Sequence, residues 1–133
     1  MQLYMLDTDI SSYIIKERPP QVKARLDRFA MEQLCISVVT KAELLYGVKR
    51  SSSPKVNRPI VEAFLKHVTV LDWDGLATEH YADVRAGLER KGTPIGNLDT
   101  MIAAHARSLQ ALLVTHNLKH FKRVPGLKVE TWV

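Results

Sequence analysis

Apolar residues fall along this chain in two alternating rhythms. Unbroken apolar runs of the kind buried in a sheet stand at 3–6 (LYML), 34–39 (LCISVV), 68–73 (VTVLDW) and 111–115 (ALLVT). A fifth segment, 127–132 (LKVETW), reads as an edge strand. Between the runs, apolar positions recur every three or four residues, the period of an amphipathic helix. The first helix is expected from near Asp9 until just before Pro19, because a residue preceding proline avoids the helical region. Pro20 suits a first helical turn, and a second helix runs to about Met31. Further helices are expected from Thr40 to about Lys49 and from Arg58 to His67. Another runs from an Asp74 cap to Lys91, stopped by Gly92. Leu98, Met101, Ile102, His105, Ala106 and Leu109 form an apolar stripe on the next, and 117–121 give one short turn. The tract 51–59 (SSSPKVNRP) reads as a flexible connection between two helices.

Continuous apolar strands separated by helices imply a parallel sheet covered on both faces. Right-handed crossovers make that a three-layer α/β arrangement. With 133 residues, a single domain over 1–133 is expected. A chain of this size buries enough surface to fold without a disulfide. Its one cysteine, Cys35, lies inside an apolar strand and reads as a small core residue. Asp7 interrupts the first apolar run too early for a signal peptide, and no stretch reaches the roughly 20 apolar residues of a membrane helix. A reducing, cytoplasmic setting is expected.

Charge alters the picture. The net charge is +5, with basic clusters at Lys49-Arg50, Arg90-Lys91 and 119–123. A polyanionic partner would suit such a surface, and so would plain solvation of helix faces. Against this background the first strand ends in two acids, Asp7 and Asp9. Taken singly, the acids have ordinary roles. Asp7 can cap the helix that follows it. Glu43 completes a capping-box pattern with Thr40. Asp99, after an Asn97 cap, sits where the helix dipole favours a carboxylate.

Topology joins them. Asp7 and Glu43 follow the C-terminal ends of the first two strands, and Asp99 starts the helix leading to the fourth. In a parallel sheet, strand C-termini and helix N-termini share one edge, where ligands bind at the switch in strand order. Asn117, just past the fourth strand, is placed to join them. Clustered carboxylates repel unless a cation intervenes. Mg²⁺ or Mn²⁺ takes oxygen ligands and, beside a phosphate, promotes hydrolysis. A metal ringed by Lys and Arg would also attract a phosphate backbone. The chemistry suggested is phosphodiester hydrolysis.

Four segments carry a resemblance: YMLDTDISSYIIK, CISVVTKAELLYGVKRS, GTPIGNLDTMIAAHARS and LLVTHNLKHF. In order and spacing they resemble the PIN-domain ribonuclease toxins of VapBC toxin–antitoxin modules, across essentially the whole chain. The resemblance implies a five-stranded parallel sheet in order 3-2-1-4-5. It implies that Asp7, Glu43 and Asp99 hold Mg²⁺, with Mn²⁺ as a possible substitute, and that Asp9 supports the first acid. Asn117 stands where many PIN domains have a fourth acid, so a single metal is expected before substrate arrives. Thr115 and Ser37 orient ligands or water, or simply close strand ends with hydrogen bonds. The resemblance further implies a homodimer, neutralised by a cognate antitoxin whose C-terminal segment blocks the acidic cleft. Operator DNA would be bound only through that complex. The expected substrate is structured RNA such as tRNA, with the initiator tRNA anticodon stem-loop as the narrowest expectation.

Lys49, Arg50, Lys119 and Lys122 are candidate phosphate contacts. His105 reads as a packed core histidine, and His116 with His120 as a solvated or RNA-facing pair. Tyr46 and Phe64 read as core, and Arg107 as merely exposed. Two rival readings compete. A haloacid-dehalogenase-type phosphatase would use Asp7 as nucleophile and Asp9 as acid, but leaves Glu43 without a role. A non-catalytic regulator would use the cleft only to bind RNA or a partner.

Overall fold

The computed structural model describes residues 1–133. Five short parallel strands form its centre: β1 (Tyr4–Leu6), β2 (Leu34–Ser37), β3 (Thr69–Leu71), β4 (Leu112–Val114) and β5 (Lys128–Glu130). They lie in the order β3-β2-β1-β4-β5, as expected. All four pairings are parallel, with Met5 opposite both Cys35 and Leu113. β1 is therefore central, and the chain reverses direction across the sheet between β1 and β4.

Side chains alternate along a strand, so each face collects its own core. Met5, Cys35 and Leu113 face one side with Val84, Leu88, Ile102 and Ala106. These come from α5 (Gly75–Arg90) and α6 (Asn97–Ser108). Leu6, Leu34, Ile36 and Val114 face the other, against Ile10, Ile14, Leu44, Val61 and Phe64. Those belong to α1 (Thr8–Lys16), α3 (Val38–Arg50) and α4 (Pro54–Leu65). α2 (Pro20–Leu26) and α7 (Leu118–Phe121) complete the set. No helix is long and apolar enough to cross a membrane.

Several boundaries differ from those read in the sequence. α2 stops at Leu26, and a 3₁₀ turn over Met31–Gln33 leads into β2. The tract 51–59 is mostly helix: α4 begins at Pro54, whose missing N–H is no loss in a first turn, and carries Pro59 within it. α3 begins at Val38, before Thr40, because the Ser37 hydroxyl accepts the Val39 N–H at 3.1 Å. Thr40 and Glu43 are thus interior helical residues and form no capping box. α6 is entered through Gly96 at φ 94°, so Asn97 is its first residue and not its cap. A positive φ there suits glycine, which has no Cβ to clash. The buried stripe of α6 is Ile102, Ala103, Ala104, His105 and Ala106, while Leu98 and Leu109 are exposed.

Tyr46 is exposed on α3, whereas Phe64 is core. Arg107 is not a free surface cation. Its guanidinium bonds His80 Nδ1 at 2.9 Å, the Pro125 carbonyl at 3.0 Å and the Asp83 carboxylate at 2.6 Å. One side chain thereby ties α6 to α5 and to the turn before β5.

Candidate active site

Asp7 follows β1 directly and continues its ladder, the Asp7 N–H donating to the Val114 carbonyl at 3.0 Å. Its side chain is 4% exposed. Oδ1 caps α1 by accepting the Ile10 N–H at 2.8 Å, and Oδ2 accepts the Thr115 hydroxyl at 2.6 Å. Thr115 Oγ1 in turn accepts the Asn117 N–H at 2.9 Å. Thr115 therefore orients Asp7, while Asn117 acts through its backbone, and its amide caps no helix.

Glu43 projects from the second turn of α3, where Thr8 at the start of α1 donates to Oε1 at 2.6 Å. The same hydroxyl lies 3.2 Å from Thr40 Oγ1. Thr8 is a site residue that sequence reasoning misses; its one signal is the middle position of D-T-D. Asp99 stands in the first turn of α6, half-buried. α6 is held to the end of β3 by the Trp73 indole, which donates to the Met101 carbonyl at 3.0 Å.

Electrostatics join the acids. Burial pushes Asp7 up to about 7, despite the Thr115 and Ile10 hydrogen bonds, with Asp9 and Asp99 adding to the rise. Burial raises Asp99 to about 6, helped by Glu43 and Asp9 and opposed by His120. Asp9 is exposed and makes no hydrogen bond to Asp7, so it acts on its neighbours through charge alone. None of Asp7, Asp9, Glu43 or Asp99 is among the residues that form ion pairs. His120 Nδ1 is the one buried side-chain nitrogen or oxygen without a hydrogen-bond partner. His116 instead is exposed, with its ring edge-on to Tyr13.

These side chains do not form a ready-made cage: no three His, Cys, Asp or Glu groups stand in metal-holding geometry. The donor set still fits a hard divalent cation. It consists of carboxylate oxygens, two held by threonine hydroxyls and none in an ion pair, with Asp7 and Asp99 raised by burial. Mg²⁺ keeps several waters and takes only one or two carboxylates directly, so a loose arrangement suits it.

A groove of about 780 Å³ runs from this edge between α1, α3 and α4. Thr8, Asp9 and Glu43 line one part, and Tyr46, Arg50 and Ile60 another. The Arg50 guanidinium lies 5.9 Å from the centre of the Tyr46 ring. Of the candidate basic contacts, Arg50 shares the groove with Asp9 and Glu43, and its chain neighbour Lys49 is exposed. Lys119 and Lys122 are exposed on and just after α7, near Asn117.

A central-strand acid, a second on α3 and a third at the head of α6, at the switch point of a 3-2-1-4-5 sheet, define a known class. Residues 4–127 match the family model described as PIN domain. The tRNA(fMet)-specific endonuclease VapC of Salmonella typhimurium is 42% identical over 132 residues, covering 99% of both chains. The DNA-bound VapBC structure from Salmonella typhimurium superposes with a TM-score of 0.94 at 41% identity, covering 100% of both chains. VapBC2 from Rickettsia felis, bound to a promoter DNA fragment, gives 0.93 at 37% identity over 99% of this chain and all of that one. The chain belongs to the PIN-domain family, in its VapC branch.

Proposed function

We propose that this chain, acting as one PIN domain over 1–133, is a metal-dependent endoribonuclease of a toxin–antitoxin module. Its substrate is structured RNA, most narrowly initiator tRNA cut in the anticodon stem-loop. The carrying observation is an acid cluster at the switch point with no ion-pair partner, where burial raises Asp7 and Asp99 to about 7 and about 6. Asp7, Glu43 and Asp99 hold the ion, Mg²⁺ in the cell and Mn²⁺ as a substitute. A divalent cation there supplies positive charge to the scissile phosphate and acidifies the attacking water. The Thr115 hydroxyl keeps Asp7 Oδ2 aimed at the cleft, and the Thr8 hydroxyl does the same for Glu43. Asp9 and Asn117 stand beside these groups as supporting residues. Arg50, Lys49, Lys119 and Lys122 draw in the RNA backbone and fix its register without reading sequence.

The partner reading rests on the relatives, whose structures are VapBC complexes bound to DNA. A cognate antitoxin would lie along the groove between α1, α3 and α4, covering Tyr46 and Ile60 and closing the acidic end. Operator DNA would be bound only by that complex. The free toxin is a cytoplasmic homodimer. Membership of the PIN-domain family sets aside the phosphatase reading, and Glu43 facing Thr8 beside the other acids gives it the place that reading lacked.

The deciding experiment is incubation of the purified chain with total bacterial RNA, with Mg²⁺ or with EDTA, followed by sequencing of new 5′ ends. One dominant Mg²⁺-dependent cut, absent in Asp99→Asn, is expected. Cleavage persisting in that variant would overturn the reading. RNA bound but never cut by the wild type would favour the non-catalytic regulator.

A further inference from the structure

α3 carries Glu43 and α6 carries Asp99, and the two helices pack directly on each other. A single buried polar contact crosses their seam. His105 Nδ1 lies 2.8 Å from Ser37 Oγ, and the two residues are 2% and 0% exposed. Ser37 Oγ also accepts the Val39 N–H, so this hydroxyl is the cap of α3 itself. Burial lowers the His105 pKa, which keeps the ring neutral near pH 7. Nδ1 and the Ser37 hydroxyl form one hydrogen bond, its direction set by the ring's tautomer. The polar chain therefore runs from the α3 backbone through Ser37 to His105 on α6.

Cys35, Val39, Ile102, Ala103 and Ala106 pack in the apolar core on this side of the sheet. If α6 slid or rotated on α3, the buried ring nitrogen would lose its partner and the Ser37 hydroxyl would keep only the Val39 N–H, a loss that buried polar groups rarely tolerate. A lone polar pair in an apolar helix contact acts as a register lock, as a buried asparagine does in a coiled coil. Each member stands about one and two-thirds helical turns from an acid: Ser37 from Glu43, and His105 from Asp99. Those two carboxylates carry like charge and repel when no cation lies between them. Left to themselves they would spread.

We propose that the Ser37–His105 pair is a positioning device that fixes α6 on α3 and so limits how far apart Glu43 and Asp99 can stand when a divalent cation binds between them. Neither residue touches the cation or the RNA. The inference rests on the metal-site reading above and adds what sets the geometry of that site.

The test is Mn²⁺ binding to the full chain without RNA, by calorimetry or electron paramagnetic resonance, alongside thermal unfolding of the metal-free protein. His105→Leu keeps the bulk and removes the hydrogen bond; His105→Asn restores a polar atom near Nδ1; Ser37→Ala removes only a hydroxyl. His105→Leu and Ser37→Ala should bind Mn²⁺ about tenfold more weakly. His105→Asn should recover most of that loss, and the double variant S37A/H105L should be no weaker than the weaker single. If His105→Leu fails to fold, Ser37→Ala carries the test. Wild-type affinity within twofold in Ser37→Ala, whatever happens to its melting temperature, would overturn the positioning role and leave the metal site intact. A wild type that binds no Mn²⁺ would overturn the metal-site reading and this inference with it.

Discussion

The Thr115 hydroxyl donates to Asp7 Oδ2 at 2.6 Å, joining residues 108 positions apart at the ends of neighbouring strands. Even with this bond, burial wins: Asp7 is raised from 3.8 to about 7. An acid raised on folding holds its proton more tightly folded than unfolded, so its ionised form opposes folding. That opposition is absent below pH 3.8, grows as pH rises, and is complete above about 7. Its full size is on the order of 4 kcal/mol, because each tenfold gain in proton affinity corresponds to about 1.4 kcal/mol.

Asp7→Asn should therefore abolish RNA cleavage while raising the melting temperature of the metal-free protein at pH 8 by about 5 °C or more. The difference between variant and wild type should shrink as pH falls from 8 to 5. A variant less stable than wild type at pH 8 would show that the buried charge is not the strain described.

Metal binding should be linked to protons. A carboxylate must ionise to hold a cation, and Asp7 and Asp99 titrate near 7 and 6. Mn²⁺ affinity should fall as pH drops from 8 to 5.5, with about one proton or more released per ion at pH 6. Calorimetry in two buffers of different ionisation enthalpy measures that release. An affinity flat across this range would contradict it.

Thr8 gives a prediction of its own, because its hydroxyl is what Glu43 Oε1 accepts. Thr8→Val keeps the shape and removes the donor, and should lower the cleavage rate by about 10- to 100-fold. Thr8→Ser should retain most of the activity. Equal rates for the two variants would remove Thr8 from the site.

Arg107 makes the opposite kind of prediction. Arg107→Ala breaks three contacts at once and should destabilise the chain by about 1–3 kcal/mol in urea, with cleavage per folded molecule unchanged. Asp83→Asn should matter much less, because that carboxylate faces solvent and exposed ion pairs contribute little.

The strand segments are legible because buried strands write themselves as unbroken apolar runs. Their parallel order brings Asp7, Glu43 and Asp99 to one edge on paper. What cannot be read are choices settled by contacts distant in sequence. Thr40 and Glu43 match a capping box, but Ser37 ends a strand and its hydroxyl already meets the Val39 N–H, so α3 starts earlier. That shift frees Glu43 from a capping role and turns it toward Thr8. The tract 51–59 looks like a loop from its serines and prolines, yet Pro54 is well placed at a helix start. Arg107 looks exposed because nothing local announces that His80, Asp83 and Pro125 will converge on it.

Strand order has one more consequence, in time. β1 is the first strand to be made, yet it is central and cannot pair on both sides until β4 exists. During synthesis Asp7 waits as an ordinary carboxylate on an unfinished sheet, with no Thr115 to aim it. Long-range parallel pairing forms late, since loop closure must come before its contacts. With Asp7 just past the first of the five strands and its partner hydroxyl just past the fourth, the carboxylate is oriented only once β4 is in place.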